Sequence, residues 1–167
     1  MLSAAVMEDE SVVVEALFRH GARANGLLAS GATPLDAAVY AGAPKVVRVL
    51  LSHGADPNAY GRNGTSPLED ASLKGFYAIA EMLLDHGAQV NQVNTDSGTT
   101  ALYAAAGFGK GELVELLLKR GAHPNTCGKG HTTPYKAAID NGFAEIATQI
   151  QHYGGSTECQ PEQSGVQ

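Results

Sequence analysis

Apolar residues recur three and four apart along this chain, in stripes that are short. Val46, Val47, Leu50 and Leu51 form one stripe, Ile79, Met82, Leu83 and Leu84 a second, and Leu113, Val114, Leu117 and Leu118 a third. That spacing puts each set on one face of an α-helix, and the period-two alternation of a half-buried strand is absent. A shorter element precedes each striped helix and opens on a hydroxyl residue: Thr33-Pro34-Leu35, Ser66-Pro67-Leu68 and Thr100-Ala101-Leu102, with Thr133-Pro134-Tyr135 starting a fourth pair. A hydroxyl at the N-cap takes up a free backbone N–H of the first turn, and proline after it has φ preset and no donor to lose. Ala38, Ala71, Ala105 and Ala138 follow where neighbouring helices must approach closely, and the elements stop near Gly42, Gly75, Gly109 and Gly142.

The striped helices all end in one turn, written HGARAN, HGADPN, HGAQVN and RGAHPN. Its glycines are Gly21, Gly54, Gly87 and Gly121, in steps of 33, 33 and 34 residues, and Gly154 stands another 33 on. A fixed period in this range predicts stacked repeats. The glycine fits the left-handed residue after a helix, which costs any other residue roughly 1–2 kcal/mol. The asparagine four residues later begins the return loop to the next helix pair. The 34-residue step places one extra residue in the loop between Asn91 and Thr100.

This grammar resembles the ankyrin repeat over about residues 2 to 153. The resemblance implies an all-α repeat solenoid of stacked helix-turn-helix units with short hairpin or loop fingers. The predicted domain is 1–153, in units of about 1–27, 28–60, 61–94 and 95–127 with a C-terminal cap at 128–153. The histidine usual after Thr-Pro-Leu is replaced by Asp36, Glu69, Tyr103 and Lys136. The aspartate usual at the start of the hairpin is replaced by Leu28, Gly61, Thr95 and Gly128, so the fingers should be less regular than the helices. The resemblance also permits hydroxylation of Asn58, Asn91 or Asn125. The last helix, 144–153, is more polar than 46–53, as a terminal repeat requires. Residues 154–167 have little to bury and are expected to be disordered.

Charge and chemistry narrow the function. A formal net charge of −6, from 11 basic and 17 acidic residues, counts against nucleic acid as a partner. No apolar window of about 18 residues exists to span a membrane, and no basic-then-apolar leader opens the chain. An intracellular, cytoplasmic monomer is the expectation. Two cysteines are too few for a disulfide framework or a zinc site, and Cys127 reads as an exposed finger residue. His20, His53 and His86 share one repeat position. Helix layers lie about 8–10 Å apart, whereas zinc needs nitrogens at about 2 Å, so these three read as helix-end residues. His123, Cys127 and His131 come nearest to a metal set, but their spacing is poor. GKGHTT at 128–133 lacks the spacing of a phosphate loop, and Asn63-Gly64-Thr65 reads as a turn. The residues predict no catalytic set, cofactor or metal, and so no enzyme.

What the residues do suggest is a non-catalytic protein–protein interaction module with another protein as partner. By the resemblance, its surface is a concave face made of finger tips and the exposed sides of the first helices. The candidates there are Tyr40, Leu73, Lys74 and Phe108 on the helices, Tyr60 and Arg62 in a finger, and Tyr103 after a helix start. Large aromatics placed where the helical pattern does not need them are common interface anchors. Two alternatives are a regulatory or inhibitory subunit that masks an enzyme, and a structural repeat array without a dedicated partner.

Overall fold

A computed structural model describes residues 2–61, 63–128 and 130–159. Ten helices stand among them, with no strand: α1 (Leu2–Met7), α2 (Ser11–Arg19), α3 (Pro34–Ala41), α4 (Pro44–Ser52), α5 (Pro67–Lys74), α6 (Tyr77–Asp85), α7 (Ala101–Gly107), α8 (Gly111–Lys119), α9 (Pro134–Asp140) and α10 (Ala144–His152). They form five helix pairs. The all-α repeat solenoid expected from the sequence is the fold observed.

The local reasons are those written in the sequence. Thr33, Ser66, Thr100 and Thr133 each cap a helix, accepting the backbone N–H three residues on at 3.0 to 3.3 Å. The second helices have no side-chain cap of their own. Instead α4 borrows one, because Val46 donates its N–H to the Asp9 carboxylate of the preceding unit at 3.0 Å.

First helices pack on first helices and second on second, in two parallel rows. Ala38, Ala71, Ala105 and Ala138 are buried in the first row, so those backbones approach more closely than in the second, where Leu50, Leu83 and Leu117 fill the space. The finger tips and the first helices border a common groove.

The asparagine of each turn does more than begin a loop. Asn25 donates to the Gly54 carbonyl at 3.0 Å and accepts from the Asp56 N–H at 2.8 Å. Asn58 holds Gly87 and Gln89 in the same way, Asn91 holds Gly121 and His123, and Asn125 holds Gly154 and Ser156. Each side chain thus fastens its own turn to the next one, and four rungs run the length of the molecule.

The last rung corrects two expectations. Residues 154–159 are not a disordered tail: Ser156 bonds Asn125, and the Thr133 hydroxyl donates to the Ser156 carbonyl at 2.5 Å. Nor is Cys127 a free finger residue, since it forms a disulfide with Cys159, 32 residues away. The tail enters the place a next turn would occupy, which supplies polar partners that its composition alone does not reveal. Residues 160–167 lie outside the described residues.

Candidate partner-binding face

The fingers are closed across their bases by backbone bonds, Leu28 N–H to the Ala32 carbonyl at 2.9 Å, Gly61 to Thr65 at 2.8 Å and Asn94 to Thr99 at 2.8 Å, and a second bond returns to the same first residue from Gly31, Gly64 and Gly98. The third closure spans one residue more than the others, so the extra residue of the 34-residue step lies there. It also moves the register: Asn94, rather than Thr95, opens this finger. The Asn94 side chain accepts the N–H groups of Asp96 and Ser97 and shapes the tip. The Thr95 N–H donates to the Gly64 carbonyl at 3.1 Å, which ties two neighbouring tips together.

Carboxylates anchor these tips from beneath. Glu69, buried on α5, accepts from Thr99 Oγ1 at 2.7 Å and Asn94 Nδ2 at 3.1 Å. Burial raises its pKa above the ordinary glutamate range, opposed by those two hydrogen bonds. Asp70 is raised too, first by burial and further by the nearby charge of Asp36, while Thr65 and Lys74 work the other way. Asp36 lies against Gly61 at the base of the second finger. Ser66-x-x-Glu69 could be read in the sequence as a capping box. Nothing local in it shows that the same carboxylate also reaches the next finger.

Tyr40 leaves the end of α3 and is 63 % exposed. The Lys74 ammonium, from the end of α5, lies 3.9 Å from the centre of its ring. A cation over an aromatic face is worth about 0.5–1 kcal/mol at an exposed site, and here it fixes two long side chains from adjacent units. Tyr40 borders a groove of about 550 Å³ between the first helices and finger tips, which Met7, Leu28, Ala37, Asn63 and Asp70 also line. Phe108 caps α7 and is 60 % exposed, but it lies outside this groove. Tyr60 is exposed in its loop, and Leu73 and Tyr103 are half-buried. Arg62 falls outside the described residues. The structure thus joins Tyr40 to Lys74 and leaves the other candidates spread along the face.

The histidines serve the helix ends. His20 and His86 each set Nδ1 2.8 Å from the carbonyl one turn back, while His53 stacks on Phe18 and lies 3.1 Å from Glu15. With Cys127 bonded to Cys159, its sulfur is not a free thiolate for His123 and His131 to join. No group of three metal-ligating side chains converges among the described residues. Nor is any helix there long and apolar enough to cross a membrane.

A family model for ankyrin repeats in three copies matches residues 1–94, and a second, for ankyrin repeats in many copies, matches residues 83–138. The chain belongs to the ankyrin repeat family. No curated protein matches it. Ankyrin repeats are in general modules for protein–protein interaction.

Proposed function

We propose that this ankyrin array is a non-catalytic binding module that grips a partner protein through its concave face, with Tyr40 and Lys74 at the centre. The Tyr40–Lys74 stack carries this reading: the ammonium lies over a large exposed aromatic at the border of a groove and biases its pose by about 0.5–1 kcal/mol before any partner arrives. Preorganisation of this kind reduces the side-chain entropy lost on association. Tyr60, Leu73, Tyr103 and Phe108 extend the contact along the stack. Arg62 belongs to the same proposed face by its place in the sequence.

Affinity capture from a lysate of the source organism, with Tyr40→Ala/Phe108→Ala alongside the parent chain, tests this. Both side chains are exposed, so the variant should melt with the parent. Loss of an anchor costs about 2 kcal/mol or more, a fall in affinity beyond tenfold. A protein retained by the parent and lost by the variant supports the face. The same captured set on both sinks it.

A further inference from the structure

The fourth finger, 128–132, is built less soundly than the three before it. Every finger turns where an N–H donates back to the carbonyl of its first residue: Gly31 to Leu28, Gly64 to Gly61, Gly98 to Asn94 and His131 to Gly128. Gly31, Gly64 and Gly98 hold φ between 65 and 81°, where glycine has no Cβ to clash. His131 stands in the same left-handed region, at φ 53°, which disfavours any side chain. The base differs as well. Backbone bonds close Leu28 on Ala32, Gly61 on Thr65 and Asn94 on Thr99, and among the described residues none joins Gly128 to Thr132.

The tail stands in for that bond. Cys127, just before the finger, is joined to Cys159, and Thr133, just after it, donates its hydroxyl to the Ser156 carbonyl. Both flanks of the finger are thus clamped to one short segment, 156–159. We propose that the Cys127–Cys159 bridge is a redox switch for the fourth finger, so that the array presents four ordered fingers when oxidised and three when reduced. Both cysteines are partly exposed, within reach of a dithiol reductant. One thiolate of the dithiol attacks a bridge sulfur, and its second thiol resolves the mixed disulfide. The dithiol leaves oxidised to a disulfide, and its two electrons and two protons end on Cys127 and Cys159 as thiols. Beyond the turn at Gly154, the tail is then held by the bonds of Ser156 to Asn125 and Thr133. Water replaces such bonds at small net cost. Without the tail, the finger keeps its strained residue and loses its clamp. This regulation goes beyond the binding role proposed above and does not depend on it.

Amide hydrogen exchange of the full chain, read residue by residue by NMR with and without dithiothreitol, tests the switch. The N–H groups of Gly31, Gly64, Gly98 and His131 each report on their own finger. Reduction should lower the protection of His131 more than about tenfold and leave the three glycines within about twofold. Cys127→Ser/Cys159→Ser should match the reduced parent in either condition. In the reduced protein, His131→Gly should raise protection at position 131 by about tenfold, because the turn then holds a residue suited to it. Protection of His131 that is indifferent to reductant overturns the proposal. So does an equal loss in all four fingers, which would be a loosening of the whole array, and so does a His131→Gly variant no better protected than the reduced parent.

Discussion

At the scale of single residues, the asparagine rungs and the buried glutamate make separate demands. Asn58→Ala removes two hydrogen bonds from a partly exposed turn, where water can replace them, so a loss of about 0.5–1.5 kcal/mol is expected. Asn125 is buried, and its replacement strands the polar groups of Gly154 and Ser156, so Asn125→Ala should cost about 1–3 kcal/mol. Urea unfolding of the two variants checks the order. Glu69 calls for a pH experiment. Because its folded-state pKa is raised, the native protein holds this proton more tightly than the unfolded chain does. Stability then falls as pH rises from the ordinary glutamate pKa of 4.5 through the higher folded value. Glu69→Gln should flatten that fall, read from denaturation midpoints between acid and neutral pH. A slope unchanged in the variant assigns it to other carboxylates. The sequence showed Glu69 only as a departure after Ser66-Pro67-Leu68. Its partners Asn94 and Thr99 lie 25 and 30 residues on, beyond any local pattern.

At the scale of elements, helices were legible because their causes are local: stripe, hydroxyl cap and closing glycine all fall within one turn or two. Fingers and tail were not, because their order comes from neighbours. The register at Asn94 depends on a side chain turning back on its own loop, which a repeat alignment does not weigh. Cys127 and Cys159 carry no local sign of pairing; the rung at Asn125 delivers one to the other. Such a bridge persists where thiols are oxidised and opens where they are kept reduced, so the cysteine count lends no support to a cytoplasmic location. Reduction should release the tail from the last finger. For a separation of 32 residues the chain-entropy account puts the loss at up to about 4 kcal/mol. Thermal melts with and without dithiothreitol measure it, and Cys127→Ala/Cys159→Ala should melt like the reduced parent and ignore the reductant. A melt indifferent to reductant in the parent would mean that the bridge contributes nothing.

At the scale of the whole molecule, the two ends differ in kind. The C-terminal end has a polar helix, a rung satisfied by the tail and a covalent tie. In the first helix pair Val13 is 41 % exposed, and among the described residues no asparagine side chain bonds the turn at His20-Gly21. In a linear array each unit is held chiefly by its neighbours, so the rungs act like the teeth of a zip, with a covalent clasp at the last one. Opening that starts at α1 and α2 breaks the rung at Asn25, the Asp9 cap on Val46 and the contacts of His53 with Glu15 and Phe18. Opening from the other end leaves α9 and α10 inside a loop that the Cys127–Cys159 bridge still closes, so less chain entropy is gained there. Units that look alike are therefore not alike in what opening them releases, and the bridged last pair should exchange its amide hydrogens more slowly in the oxidised protein than after reduction.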